Sequence, residues 1–285
     1  MTGNSVGAVQ IGVNVPNFGP GTSPDVLRDW ARTVEGLGFD LLMVSDHVAV
    51  TPDVAEQYPA PFYEPFTALA WLAGVTSRIR LGTTVLVLPY RHPLLVARMA
   101  ANVNELSGGR FVLGVGVGWA RQEYEALGVR FAERGRLTDE GLRVVRDAWR
   151  DESDYRAGRI PIWVGGHSDA ALRRAVRLGD AWHSLRLTPS GYREALERLK
   201  VIADAEGKPL PASTPRVLLH ITSDELGPER RLGEGTVAQV LGDLAELRSS
   251  GAEAVVLDPF VGDPQETVHP EVAWQALATV RKEFR

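Results

Sequence analysis

The chain has 285 residues, with 36 acidic against 31 basic side chains and a formal net charge of −5. That balance gives no electrostatic reason to expect a nucleic-acid or anionic-membrane partner, and the absence of cysteine excludes disulfides, thiolate metal sites and cysteine nucleophiles. The composition is globular, the apolar runs reach only about ten residues (Phe66 to Val75), and the opening Met1–Gly21 lacks a basic segment. A cytoplasmic protein without a membrane span is therefore expected.

Two periodicities alternate along the chain. Short runs rich in Val, Ile and Leu read as buried parallel strands, and longer runs with 3.6-residue spacing read as helices. In chain order the strands are predicted at Val9–Val15, Leu41–Val44, Arg80–Leu86, Phe111–Val115, Ile160–Val164, Ala181–Leu185, Arg216–Ile221 and Ala254–Leu257. The first helix opens at Ser23-Pro24, a cap followed by proline at the first helical position, and closes near Gly36 and Gly38. Its apolar stripe runs through Val26, Leu27, Trp30, Ala31, Val34 and Leu37. Further helices are predicted at Pro65–Thr76, Pro93–Leu106, Leu137–Trp149, Ser168–Leu178, Ser190–Ala205, Thr236–Ser249 and Val272–Phe284. Strand–helix units repeated eightfold, with no break in composition, predict an α/β fold. The expected architecture is a (β/α)8 TIM barrel forming a single domain over residues 1–285. A doubly wound sheet would carry a Gly-rich fingerprint after its first strand, and Asn17-Phe18-Gly19-Pro20-Gly21 is not one.

Barrel chemistry gathers at the C-terminal strand ends. There the sequence offers Ser45-Asp46-His47, Arg91-His92, Gly116-Val117-Gly118-Trp119, Gly165-Gly166-His167-Ser168, His183 and Asp258, with His220 inside the predicted seventh strand. Gly165-Gly166 followed by a serine cap is compatible with a phosphate held by backbone N–H groups, and equally with an ordinary strand–turn–helix. Gly114-Val115-Gly116-Val117-Gly118 fits either a flat ring over the strand end or tight packing inside the barrel. Asp46 beside His47 fits an acid–base pair, although neighbours on a strand point to opposite sides; the alternative is a hydrogen-bonded structural histidine. These groups could also ligate a metal, yet no H-x-H or H-E-x-x-H spacing is present and no metal is expected. Tyr58, Phe62 and Tyr63 lie in the long connection Val48–Glu64, which is expected to shape a pocket or lid.

The run from Leu106 to Trp119, with Ser-Gly-Gly-Arg110 and Gly114-Val-Gly-Val-Gly118, resembles the luciferase-like monooxygenase superfamily, above all its deazaflavin (coenzyme F420)-dependent oxidoreductases. Gln122-Glu123-Tyr124, Ala126-Leu127-Gly128, Glu133-Arg134-Gly135, Ser45-Asp46-His47, Arg91-His92-Pro93, Ile160-Pro-Ile-Trp-Val-Gly-Gly166 and Leu178-Gly-Asp-Ala-Trp182 carry the same likeness, which spans about Val9 to Trp182. The resemblance implies a barrel holding coenzyme F420, or FMN, at its C-terminal face. Asp46 and His47 would stand at the reactive part of the ring as the catalytic pair, His47 exchanging the proton. A non-proline cis peptide near Thr84-Val85 would back the ring, Val117 and Gly118 would line ring or linker, and Gly165, Gly166 and Ser168 would hold the phosphate. The implied activity is hydride transfer to or from a small-molecule substrate, with reduced-FMN monooxygenation as the alternative. A metal-dependent barrel hydrolase and a non-catalytic cofactor binder are the readings from other classes. A homodimer is a family expectation. The chain departs from its sugar-phosphate dehydrogenase relatives at Trp119, where they carry a glutamate, and at Thr51, where they carry a tryptophan, so a sugar phosphate is not the expected substrate. The short Arg150–Arg159 segment and Ala181 of Asp180-Ala-Trp182 are further departures.

Overall fold

The computed structural model describes residues 9–150 and 155–284. Its strands are β1 (Gln10–Asn14), β2 (Leu41–Val44), β3 (Arg80–Thr83), β4 (Leu86–Val87), β5 (Phe111–Gly116), β6 (Ile162–Gly165), β7 (Ala181–His183), β8 (Ala212–Ser213), β9 (Arg216–Leu218), β10 (His220–Ile221), β11 (Glu234–Gly235) and β12 (Ala254–Asp258). The parallel order β8-β7-β6-β5-β3-β2-β1-β12-β9 describes a curled sheet. β8 and β9 are two halves of one strand broken at Thr214-Pro215: Thr214 N–H donates to the Trp182 carbonyl on one side, and Val256 N–H donates to the Pro215 carbonyl on the other. Those bonds close the curl into a TIM-barrel-like α/β fold.

The pleat decides what each strand residue does. Leu41 and Met43 point into the barrel with Val112, Trp163, Ala181, Ala254 and Val256, while Leu42 and Val44 face the helix layer. Both faces are covered, which is why these strands read as continuous apolar runs rather than as alternating ones. Continued upward with the same parity, the inward positions become Asn14, Ser45, His183 and Asp258, so the top of the barrel interior is polar.

Several predicted elements differ. The third strand ends at Thr83, because the chain bulges at a cis Thr84–Val85 peptide, where the family likeness implies one, before resuming as β4. The seventh strand ends at Leu218; His220 leaves the barrel and pairs in a separate two-residue ladder with Glu234. The helix predicted at Leu137–Trp149 begins earlier, at Arg134, and a short helix, Arg121–Ala126, precedes it where none was predicted. The connection Val48–Glu64 contains a single turn of helix at Pro52–Ala55. Most of Arg150–Arg159 is described; residues 151–154 lie outside the described part.

Candidate active site

At the C-terminal end of the barrel a cavity of about 310 Å³ is lined by Asp46, His47, Thr84, Val85, Val117, Gly118, Gly165 and Gly166, among others. The parity of β2 sends Ser45 and His47 inward and Asp46 outward, and the two side chains part company. Asp46 is gripped by Arg91, whose Nη1 and Nη2 donate at 2.8 Å to its two oxygens, and by the Val87 N–H at 2.9 Å. Burial pushes the Asp46 carboxyl above its ordinary value, against the pull of Arg91. Its side chain is wholly covered. Asp46 therefore does not orient His47; it ties the bulge after β3 to the Arg91 loop.

The carboxylate that meets His47 is Glu123, from the short helix Arg121–Ala126. Its Oε2 lies 2.6 Å from His47 Nδ1, and its Oε1 accepts the Val48 and Ala49 N–H groups at 2.6 and 3.0 Å. Burial acts to raise the Glu123 carboxyl, but the bonds from His47 and the two backbone amides outweigh it and hold the group below its ordinary value. An ionised, fully buried carboxylate fixes the proton of the imidazole on Nδ1 and leaves Nε2 for the cavity. Three rings surround His47: Tyr58 stacked at 5.3 Å, Phe62 edge-on at 5.4 Å and Trp119 edge-on at 5.8 Å. Tyr58 and Phe62 come from the connection expected to shape a pocket, and Trp119 stands half exposed at the rim.

The inner face of the cavity is built from strand ends. Thr84, His183 and Arg216 line it. His183 is fully enclosed between the Thr214 carbonyl, at Nδ1, and Thr84 Oγ1, 2.8 Å from Nε2, and burial pushes it down to about 4. Arg216 donates to Asp258 from Nε and Nη2 at 3.0 and 2.7 Å, and from Nη1 to the carbonyl of the cis peptide, Thr84 O. Burial acts upward on Asp258, yet Arg216 and Arg186 keep it below its ordinary value.

The glycines divide between packing and cavity. An added Cβ at Gly114 would come within 2.0 Å of the Thr83 carbonyl, and at Gly116 within 2.5 Å of Val85 Cγ2. These two make room for the bulge, so the packing reading holds for them. Gly118, at φ +68°, turns the chain out of β5 against Val87 and Tyr90. Gly166, at φ +110°, starts the turn into the helix Asp169–Leu178. The Ser168 hydroxyl is not among the cavity groups; it caps that helix by accepting the Ala171 N–H. His92 caps the helix Pro93–Leu106, and His167 lines the cavity. Among the described residues no group of three or more histidines and acids is placed to hold a metal ion. No helix there is long and apolar enough to cross a membrane.

Residues 9–232 match the model of the luciferase-like monooxygenases. The chain belongs to that family. An uncharacterised protein of Mycobacterium tuberculosis is 34% identical over 209 residues, which cover 64% of this chain and 72% of that one. The oxygenating constituent of 3,6-diketocamphane monooxygenase from Pseudomonas putida, solved with FMN, shares the fold at a TM-score of 0.74 and 17% identity, covering 97% of this chain and 98% of that one. The coenzyme F420-dependent tetrahydromethanopterin reductase of Methanopyrus kandleri does so at 0.73 and 16%, covering 97% and 99%. Oxidoreductases and monooxygenases are the enzymes of this family. The lining suits a flat heteroaromatic ring with one polar edge: Val85, Val87, Val117, Trp119 and Leu185 offer apolar surface, and Thr84, His183 and Arg216 offer polar groups to an edge.

Proposed function

We propose that this protein is a coenzyme F420-dependent oxidoreductase that transfers a hydride to or from a small organic substrate. The observation that carries the proposal is the His47–Glu123 pair at the cavity wall. Hydride transfer to a carbonyl, or from an alcohol, must be matched by one proton. Of the three histidines that line the cavity, His47 has its Nδ1 held by a buried carboxylate, and both nitrogens of His183 are engaged by Thr84 and Thr214. When bound, the deazaflavin supplies the hydride-carrying carbon.

The chain's own residues do the rest. Val85 and Thr84 would back the ring, Val117 and Gly118 would line its side, and Gly165 and Gly166 would let the backbone approach the linker and phosphate, with Ser168 ordering the helix that follows. Asp46 acts through Arg91 to hold the bulge in place. His47 Nε2 gives or takes the proton at the substrate oxygen, and Glu123 stabilises the imidazolium that results when it takes one. Tyr58, Phe62 and Trp119 exclude water from that step.

Thermal unfolding with coenzyme F420 and, separately, FMN tests the reading. Ligand at about 100 times its dissociation constant adds roughly 2.7 kcal/mol of stability. Stabilisation by F420 is the expected result. A shift with FMN alone replaces hydride transfer by reduced-FMN monooxygenation, and a shift with neither overturns the cofactor reading.

A further inference from the structure

The inner face of the cavity presents one charged side chain, Arg216, paired with the buried Asp258. Asp258, with no exposed side-chain surface, is the acid of this cluster, and two arginines share it: Arg216 through Nε and Nη2, and Arg186 through Nη2 at 2.7 Å and Nε at 3.2 Å, all to Oδ2. The other Asp258 oxygen accepts from the Asn14 amide at 3.0 Å and from the Phe260 N–H at 3.3 Å. The other acids have partners of their own: Glu266 acts on Arg186, Asp46 has Arg91, and Glu123 has His47 and two amides. His183 stays neutral near pH 7 and adds no charge.

Arg216 is 94% covered, yet it lines the cavity. Its bonds to Asp258 and to the Thr84 carbonyl do not exhaust the N–H donors of a guanidinium. Buried N–H donors left unmet are costly until an acceptor reaches them. A carboxylate or enolate that reaches the guanidinium forms a charge-assisted bond shielded from water. The flanking surface is apolar, with Val85, Val117 and Leu185 among its residues, which suits the faces of an organic ring.

We infer that Arg216 makes this cavity selective for a planar organic monoanion. The anion has two sources, the ionised pyrimidine edge of the reduced cofactor or a carboxylate or enolate on the substrate. The second source rests on the geometry alone; the first rests on the function proposed above.

The experiment compares native protein with Arg216→Met and Arg216→Lys in two arms. In the first, titration calorimetry measures benzoate against benzamide, a neutral molecule of the same shape. In the second, dissociation constants are measured anaerobically for oxidised and reduced coenzyme F420 and for oxidised and reduced FMN. The native protein is expected to favour the anionic member of one pair by about tenfold or more. Arg216→Met is expected to erase that preference, and Arg216→Lys to retain part of it. A benzoate preference assigns the site to substrate; a reduced-form preference without one assigns it to cofactor. If neither pair shows a preference, or if the preference survives unchanged in folded Arg216→Met, the inference is wrong. Failure of both cofactors to bind while benzoate still depends on Arg216 breaks the cofactor reading and leaves the anion site standing.

Discussion

The two sides of the barrel mouth are built by different means. The inner face joins His183 and Asp258, which end their strands, to Arg216, which opens β9, and to Thr84 in the bulge, all locked by ion pairs and hydrogen bonds between residues far apart in sequence. The opposite wall, His47, Tyr58, Phe62, Trp119 and Glu123, hangs largely on connections and on one six-residue helix. A side held by the sheet belongs to the cooperative core, so changes there are paid in stability. A wall held by loops sits where local opening is cheap, and changes there fall on chemistry and access.

The largest expected effect tests the wall. His47→Ala should lower the turnover number by about 10² to 10⁴-fold, while cofactor affinity changes by only a few fold and the melting midpoint barely moves. Single-turnover kinetics beside a binding titration separate the two. Unchanged turnover would remove His47 from the chemistry.

The next effect tests the inner face through pH. The ordinary His183 value of 6.5 falls to about 4 in the folded protein. The unfolded chain takes up this proton below pH 6.5 and the folded chain only near pH 4. Stability present at neutral pH therefore drains away as pH falls through that window, by roughly 3 kcal/mol in all. Urea melts at pH 7 and pH 4.5 should show the drop in native protein, and His183→Gln should flatten it. An equal slope in both proteins would mean that other groups carry it.

Glu123→Gln joins the two modes. A carboxylate accepts at both oxygens, from His47 on one and from the Val48 and Ala49 amides on the other. An amide must turn its NH2 toward one of those donors, so a loss of about 1–3 kcal/mol is expected, read as a lower midpoint. The pH dependence of turnover should shift as well, because the imidazolium loses its counter-charge. A displaced midpoint with an unmoved pH profile would make Glu123 a structural brace.

The smallest effect concerns the glycine turn. Ser168→Ala removes a helix cap worth about 1 kcal/mol. Since the hydroxyl is already engaged by Ala171, cofactor affinity should change less than twofold in a direct titration. A tenfold loss would mean that the hydroxyl turns to the phosphate when ligand arrives.

Much of this molecule was legible in the residues in order. Apolar strand runs alternating with capped helices specify a barrel, because parallel strands covered on both faces leave that pattern. Ser23-Pro24, Ser168 and Thr236 start helices where a cap residue should. The motif likeness located the cis peptide at Thr84–Val85 and drew His47, Val85, Val117, Gly118, Gly165 and Gly166 toward one end of the fold, because strand-end positions in a barrel share a face whatever their separation. Pairings between distant side chains were not legible. Glu123 stands in a motif of the family likeness without a role, Arg216 reads as one charged residue opening an apolar strand, and Asp46 is joined to His47 by the family likeness although strand neighbours point to opposite sides. Only closure of the barrel could bring Glu123 within 2.6 Å of His47 across 76 positions, and Arg216 onto Asp258 across 42. Periodicity is a local property that the chain carries with it; which buried charge meets which is settled by packing, where an unpaired charge costs too much to remain.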